Sequence, residues 1–153
     1  MQLDIPIQIL DHGTGLDVPV HATDGSAGLD LRAAIDEKIT LKPGERYLIP
    51  CGFSMALSKG FEAQIRPRSG LALKHGLSVL NTPGTVDSDY RGEIKVLLIN
   101  HGQEDFVVER GMRIAQMVIA KHEQVQFHTV PDIQTVEDTG LRDSFGFGST
   151  GLK

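Results

Sequence analysis

RGEIKVLLINHGQEDFVVERGMRIAQMVIA, residues 91–120, is the stretch that decides the fold class of this chain. Three apolar runs within it, at Ile94–Ile99, Phe106–Val108 and Ile114–Ile119, have the length of β-strands and are rich in β-branched side chains. Glycine-containing turn signals at Asn100–Gly102 and Glu109–Gly111 separate the runs. The stretch therefore predicts three successive short strands.

The same pattern extends along the rest of the chain. Further runs with strand character lie at Ile5–Ile9, Lys38–Leu41, Tyr47–Ile49, Phe53–Leu57, Phe61–Ile65 and Val125–Val130. This succession of short strands predicts an all-β fold, a jelly-roll-like β-barrel. One short helix is predicted at Gly70–His75, with Ser69 as its N-cap and Gly76 at its C′ position.

The length of 153 residues fits one domain. We expect residues 1–136 to form the β-barrel. Residues 137–153 are polar, glycine-rich and without periodicity, so we expect them to form a flexible C-terminal flap of the same domain.

Charge and cysteine content narrow the classes of function. The net charge of −5 comes without a basic stripe, so we expect no nucleic-acid partner. Cys51 is the only cysteine, which excludes an intramolecular disulfide and a cysteine-based zinc site and fits a reducing cytosol. The N-terminus does not resemble a signal peptide, and the most apolar segment, Ile114–Ala120, is too short to span a bilayer. We therefore expect a cytoplasmic protein without a membrane partner.

A segment of candidate binding residues runs from Asn81 to Gly92. It contains two carboxylates two residues apart, Asp87 and Asp89, which would share one face of a strand, followed by Tyr90. A hairpin of this kind could present backbone N–H and C=O groups to the edge of a base. The alternative is a polar surface hairpin without a ligand.

Three further segments could meet a phosphate group. Arg68, Ser69 and Gly70 stand at the start of the predicted helix, where free N–H groups, a guanidinium and a hydroxyl suit an anion; a capped helix without a ligand is the alternative. Gln116 interrupts an apolar run and could hydrogen-bond a phosphate or neighbouring backbone. Asp30 lies between two leucines and points outward from a strand, either to solvent or to the waters of a phosphate-bound Mg²⁺.

The fifth segment is Arg142–Gly151. Its arginine, two phenylalanines and glycines suit a flap that clamps a phosphate and stacks on a base. Disorder is the alternative interpretation. Aromatic residues make up only 5% of the chain, so two of them in a glycine-rich tail favour a function.

Taken in order, the five segments resemble the five motifs of the trimeric dUTPase family: AGLDLRAA (27–34), PRSGLA (67–72), GTVDSDYRGEIKV (84–96), RIAQMVI (113–119) and FGSTG (147–151). The resemblance implies a jelly-roll fold and a homotrimer whose active sites are shared between subunits. It also implies a Mg²⁺-dependent dUTP diphosphatase that hydrolyses dUTP to dUMP and pyrophosphate. Such an enzyme keeps uracil out of DNA and supplies dUMP for thymidylate synthesis.

The resemblance also implies a role for each site residue. Asp87 would be the general base that holds the attacking water, Tyr90 would lie under the deoxyribose, and Asp30 would reach Mg²⁺ through water. Uracil would be read by Asn81, Thr85, Val86, Asp87 and Lys95. The phosphates would be bound by Arg68, Ser69, Gly70 and Gln116. The flap would clamp the γ-phosphate and stack on uracil through Arg142, Phe147, Gly148, Ser149 and Thr150.

One departure from the family pattern and two rival functions bear on these assignments. Asp143, Ser144 and Phe145 follow Arg142 where the family usually has glycines, so Phe145 could compete with Phe147 for the stacking position. The related dCTP deaminases need a glutamate on the strand after the hairpin, and Ile94–Ile99 contains no carboxylate. The other rival is a non-catalytic dUTP-binding regulator, against which the presence of every implied catalytic residue argues.

Overall fold

The computed structural model describes residues 3–136, which contain ten β-strands, one α-helix and two 3-10 turns. The strands are β1 (Ile7–Ile9), β2 (Leu29–Arg32), β3 (Ile39–Leu41), β4 (Arg46–Met55), β5 (Phe61–Arg66), β6 (Leu77–Val79), β7 (Gly84–Val86), β8 (Glu93–Asn100), β9 (Phe106–Val108) and β10 (Arg113–Lys121). The helix α1 spans Ser69–His75, and the 3-10 turns span Asp11–Gly13 and Ile133–Thr135. The predicted flap, residues 137–153, lies outside the described residues.

The strands form two four-stranded sheets, in the orders β1-β4-β8-β6 and β2-β10-β5-β7, and a two-stranded sheet, β3-β9. The seven strand pairings within residues 3–136 are all antiparallel. The predicted all-β, jelly-roll-like class is confirmed. Within residues 3–136 the strands stay in three separate sheets rather than closing into one barrel.

The core lies between the two larger sheets, because its buried cluster draws on strands of both. On β8 the alternate side chains Ile94, Val96 and Leu98 are at most 1% exposed, whereas Lys95 between them is exposed. This period of two is what the apolar runs predicted. Asn100 ends the strand: its buried amide donates to the carbonyls of Leu41 at 2.9 Å and Glu104 at 2.8 Å.

Several predicted boundaries are corrected. The run Tyr47–Ile49 and the first three residues of the run Phe53–Leu57 belong to one strand, β4, which continues through an irregularity at Gly52 (φ 74°) and ends at Met55. Strand β8 begins at Glu93, so the strand after the hairpin does start with a carboxylate. The predicted strand Val125–Val130 is wrong, since this stretch pairs with no strand within the described chain and leaves Phe127 92% exposed.

The predicted helix is confirmed, with a different start. Ser69 is the first helical residue rather than the N-cap, a position that Arg68 occupies without a capping hydrogen bond from its side chain among the described residues. Gly76 terminates the helix in the left-handed conformation (φ 68°), as its C-cap. Lys74 and His75 lie in the last turn, where cations suit the helix dipole.

Candidate active site

Three of the predicted segments converge on one open cavity of about 700 Å³. Asp30 comes from β2, Arg68 from the residue before α1, and Gln116 from β10. The charged side chains of its wall are four cations and one carboxylate: Arg66, Arg68, Lys74, Arg113 and Asp30. The wall is thus locally basic in a chain of net charge −5, an arrangement that suits an anionic ligand.

Asp30 is the centre of the polar wall. Its Oδ1 accepts from Arg68 Nε at 2.9 Å, and its Oδ2 accepts from Arg113 Nη1 at 3.0 Å. Arg68 also donates through Nη1 to the Arg113 carbonyl at 3.1 Å. One carboxylate therefore orients two guanidinium groups at the cavity, and each keeps further N–H groups that could bind an anion.

Gln116 joins two of the segments. Its Nε2 donates to the Pro67 carbonyl at 2.8 Å, one residue before Arg68. Its Oε1 occupies the space over Gly28, where a Cβ atom would lie only 2.2 Å away. Of the two interpretations of Gln116, the hydrogen bond to neighbouring backbone is the one present; a phosphate contact remains a prediction.

The sequence did not single out Arg113 as a site residue. Arg113 and Gln116 are three residues apart, which puts them on opposite faces of a regular strand. A register shift between Arg113 and Ala115 inserts one extra residue into β10. The bulge brings Arg113, paired with Arg32, onto the face that carries Gln116 and its partner Asp30.

Arg66, Lys74 and His75 were also missed, although all three line the cavity. Arg66 pairs with Gln116 across β5 and β10, so the strand register could have placed it there. Ser69 and Gly70 line the cavity as predicted. They begin α1, whose first N–H groups have no partner inside a helix.

The second part of the predicted site is the hairpin from Asn81 to Gly92. Only Gly84–Val86 form a strand, β7, and Asp87 and Asp89 lie beyond it in a turn. The prediction that the two carboxylates share a strand face is therefore wrong. The turn is closed by the Tyr90 N–H, which donates to the Asp87 carbonyl at 3.1 Å.

Tyr90 is fixed at the base of this turn. Its hydroxyl donates to the Glu93 carbonyl at 3.0 Å, and its ring lies over Gly92, where a Cβ atom would come within 2.3 Å of the hydroxyl oxygen. The side chain nevertheless stays 46% exposed. A ring that is held at its tip and open on its surface can serve as a platform for a flat or puckered ligand group.

The other predicted uracil-binding residues border the hairpin. The side chain of Asn81 lies against Gly84, 3.0 Å from an added Cβ. Thr85 is exposed and Val86 half-buried on β7, and Lys95 is exposed on β8. The exposed side chains of Asn81, Thr85 and Lys95 therefore provide polar groups at the edge of the hairpin.

Within one chain the hairpin and the cavity lie apart, and none of residues 81–95 lines the cavity. Val86 pairs with Ala63 on β5, so Asp87 follows at the level of Glu62, whereas Gln116 pairs with Arg66. Four residues of strand separate these two levels, a distance of about 13 Å. Residues 3–136 therefore place the predicted site residues in two separate half-sites, the cavity and the hairpin.

The lone cysteine, Cys51, is buried on β4 and does not line the cavity. Burial, and then the Glu93 carboxylate, raise the pKa of the Cys51 thiol from 9.0 to about 12. A thiol with so high a pKa is a poor nucleophile at neutral pH, so it has no evident role in chemistry.

The predicted flap has no counterpart among residues 3–136. The flap residues Arg142, Phe147, Gly148, Ser149 and Thr150 lie outside the described chain. Within it, no group of three or more His, Cys, Asp or Glu side chains could hold a metal ion. The described part also has no helix with the length and hydrophobicity needed to cross a membrane.

Antiparallel sheets, a locally basic cavity and a separate hairpin with an exposed tyrosine define a jelly-roll protein whose cavity suits an anionic ligand. The dUTPase family model matches residues 15–151, and the chain belongs to this family of enzymes. The family predicted from the five motifs is thereby confirmed.

Curated relatives agree over nearly the whole chain. The deoxyuridine 5'-triphosphate nucleotidohydrolase of Bartonella bacilliformis is 59% identical, with 99% of this chain and 92% of that protein covered. The protein of the same name from Maricaulis maris is 58% identical, with 97% and 98% covered.

Solved structures support the fold. The dUTPase of Staphylococcus bacteriophage 80alpha with dUPNHPP has a TM-score of 0.85 at 22% identity, covering 99% of this chain and 100% of that chain. A mutant dUTPase from phage phi11 of S. aureus, described with a structural Mg(II) ion, has a TM-score of 0.76 at 18% identity, covering 86% and 99%.

Proposed function

We propose that this protein hydrolyses dUTP to dUMP and pyrophosphate in the cytoplasm, and so keeps uracil out of DNA and supplies dUMP for thymidylate synthesis. The observation that carries the proposal is the convergence of Asp30, Arg68 and Gln116 on one basic cavity in a chain of the dUTPase family. The two half-sites would bind the two chemically different ends of the nucleotide.

The cavity would bind the triphosphate. Arg68 and Arg113 are already oriented by Asp30, so little side-chain freedom is lost when they turn toward an anion. Ser69 and Gly70 would add a hydroxyl and backbone N–H groups from the first turn of α1. Gln116 supports the loop through the Pro67 carbonyl and would contact a phosphate from the same position.

The donor set at the cavity fits a Mg²⁺ ion that arrives with the triphosphate. Asp30 is the sole carboxylate that residues 3–136 place on the cavity wall, too few for a metal cage but suitable for holding the water shell that Mg²⁺ keeps. The carboxylate would thus bind the ion through water, and the ion would neutralise phosphate charge.

Hydrolysis needs an oriented water, a base and charge neutralisation. Asp87 is one of the two exposed carboxylates of the hairpin turn, and we assign it the water that attacks the α-phosphorus because it matches the general base of the family motif. The Asp87 carboxylate would take the proton of this water as the new P–O bond forms and the bond to the pyrophosphate oxygen breaks. Arg68 and Arg113 would stabilise the negative charge that develops on the departing pyrophosphate.

The hairpin would select the nucleoside. Tyr90, fixed through Glu93 and over Gly92, would pack under the deoxyribose and leave no room for a 2′-hydroxyl. Uracil would be read by Asn81, Thr85, Val86, Asp87 and Lys95. A tight hairpin would reject the methyl group of thymine.

The separation of the half-sites supports a shared site in a homotrimer. The hairpin lies about 13 Å along the strand from the cavity of its own chain, so we expect it to complete the cavity of a neighbouring subunit. A closed ring of three subunits makes all three such sites equivalent. The flap would complete each site, with Arg142, Gly148, Ser149 and Thr150 on the γ-phosphate and Phe147 over uracil.

The first experiment measures pyrophosphate release from dUTP, dTTP, UTP and dCTP, with and without Mg²⁺. We expect strong preference for dUTP and dependence on Mg²⁺, and a parallel measurement of ammonia release should find none from dCTP.

Asp87→Asn should bind dUTP but lose rate by roughly 10²–10⁴-fold, while the neighbouring Asp89→Asn serves as the matched control. Near-normal turnover by Asp87→Asn would remove this residue from the role of base, and turnover of dTTP or UTP at the dUTP rate would contradict the selectivity.

The second experiment tests the shared site. Asp87→Asn chains and Arg68→Gln chains are unfolded and refolded together in equal amounts. In a random mixture about a quarter of all sites should combine an intact hairpin from one chain with an intact cavity from another. Activity should rise well above that of both parents, whereas sites built within one chain would give only the parental average.

Two other functions remain testable by the same assays. Ammonia release from dCTP would indicate a deaminase; the Glu93 carboxylate at the start of β8 is instead held by His12 and the Gly52 N–H. Tight dUTP binding without pyrophosphate release would indicate a non-catalytic regulator.

A further inference from the structure

The base of the hairpin rests on a polar contact that the proposed reaction does not use. Glu93 Oε1 lies 2.5 Å from His12 Nε2 and also accepts the Gly52 N–H at 3.0 Å. The Glu93 side chain is only 15% exposed. Because a carboxylate accepts and cannot donate, the imidazole Nε2–H is the donor in this contact. We call it the His12–Glu93 contact.

The turn that carries His12 is fixed by backbone packing. The Leu10 N–H donates to the Gly52 carbonyl at 2.9 Å. A Cβ atom on Gly13 would lie 2.0 Å from the same carbonyl oxygen, so the two backbones touch with no room for a side chain. The 3-10 turn Asp11–Gly13 is therefore held against the backbone of Gly52 on β4, and this packing fixes the position from which His12 reaches Glu93.

Glu93 connects this base to the hairpin. Its Oε1 is held by His12 and the Gly52 N–H, and its Oε2 lies 3.8 Å from Lys95 Nζ. Its carbonyl accepts the Tyr90 hydroxyl at 3.0 Å. Gly92 stands between them and leaves the space that the ring of Tyr90 fills. If Glu93 moved, its carbonyl would move with it, and the hydroxyl of Tyr90 that donates to this carbonyl would lose its position.

We propose that His12, acting through Glu93, is a positioning residue that fixes the ring of Tyr90 and thereby sets the discrimination between deoxyribo- and ribonucleotides. The inference rests on the proposed function, because it assigns Tyr90 to the sugar. It assigns no contact with the nucleotide to His12 or Glu93.

A purely structural role is the competing explanation, and the chemistry of the contact argues against it. Partial burial of the Glu93 carboxylate carries a desolvation cost, and apolar side chains of similar size often stabilise a fold as well or better. A charged, directional contact is instead suited to holding one geometry. That geometry is the one in which the Glu93 carbonyl meets the Tyr90 hydroxyl.

The test compares two His12 variants that differ by one methylene group. The amide of His12→Gln can place a donor near the position of Nε2, whereas the shorter amide of His12→Asn cannot. With kcat/KM measured for dUTP and UTP, the dUTP/UTP ratio should fall about tenfold in His12→Asn, the scale of one lost hydrogen bond to a charged group. His12→Gln should recover most of that ratio, and His12→Asn should add no further loss in a Tyr90→Phe background.

Matched controls separate positioning from loss of stability. Val108→Ala removes buried volume in the small sheet β3-β9, away from the hairpin, and should lower the melting temperature without moving the dUTP/UTP ratio. An unchanged ratio in His12→Asn, or an equal change in Val108→Ala, would overturn the inference. If His12→Asn does not fold, Glu93→Ala, which removes the acceptor of the contact, takes its place with the same expectation of a reduced ratio, and Glu93→Gln, which keeps an acceptor at the same position, should retain most of the ratio.

A second readout does not depend on turnover. The chain has two tyrosines and no tryptophan, so in a Tyr47→Phe background the tyrosine fluorescence reports Tyr90 alone. Acrylamide quenching should increase in His12→Asn and stay at the parental value in His12→Gln. A wild-type protein that does not hydrolyse dUTP would refute the proposed function, while the quenching result would still decide whether His12 positions Tyr90.

Discussion

Gly92→Ala probes how closely Tyr90 must be placed. The added Cβ would lie 2.3 Å from the Tyr90 hydroxyl oxygen and 2.5 Å from Cζ, whereas carbon atoms in contact keep about 3.5–4.0 Å. The ring must move by about 1 Å or more, so its 3.0 Å hydrogen bond to the Glu93 carbonyl breaks. One neutral hydrogen bond contributes about 1 kcal/mol to stability, and its loss should lower the melting temperature by about 2–4 °C.

The effect on activity should be larger than the effect on stability. A misplacement of about 1 Å in a binding group can cost about 10²-fold in rate. We therefore expect kcat/KM for dUTP, measured by pyrophosphate release, to fall by about 10²-fold, with the dUTP/UTP ratio falling as well. Gly25→Ala is the control, because nothing lies within 4 Å of its added Cβ. Wild-type kcat/KM in Gly92→Ala would refute the assignment of Tyr90 to substrate.

Two further predictions concern the cavity and the core. Gly28→Ala would place a Cβ 2.2 Å from Gln116 Oε1, so it should displace the Gln116 amide from the Pro67 carbonyl and lower kcat/KM about tenfold. Gln116→Ala in the Gly28→Ala background should add little further loss. Additive losses would contradict the idea that both variants act through the position of the Gln116 amide. The pKa of Cys51, raised from 9.0 to about 12, predicts stability that is fully present below pH 9 and is lost as the pH rises toward 12, because only the unfolded thiol then releases its proton. Urea unfolding of wild type against Cys51→Ala should show an extra loss of about 1.4 kcal/mol per pH unit in that range, and parallel pH profiles would contradict the raised pKa.

Much of the fold follows from local patterns. Strand β9 spans Phe106–Val108, the predicted run, because an unbroken apolar run and flanking turn residues agree there. The turn signal at Asn100–Gly102 also works as its composition suggests, with the Gly102 N–H donating to Asn100 Oδ1 at 2.8 Å. The grouping of Asp30, Arg68 and Gln116 came from the family resemblance rather than from any periodicity.

The errors arise where long-range pairing decides the structure. Strands β6 and β7 have three residues each, too few for a period of two to be recognised. The predicted strand Val125–Val130 has the right composition but lacks a partner within residues 3–136. The bulge before Ala115 changed the face of Arg113, and a bulge depends on the partner strand as much as on its own sequence.

The two half-sites share one structural device, which explains why their motifs combine a glycine with a polar or aromatic residue. Gln116 occupies the space over Gly28, and Tyr90 occupies the space over Gly92. Neither glycine needs a positive φ, so backbone freedom does not account for them. What each provides is a missing Cβ, which lets a functional side chain approach the backbone closely enough to be held there. A side chain held in this way loses little further entropy when the substrate binds, and any larger residue at the glycine would move the functional group before it weakened the fold.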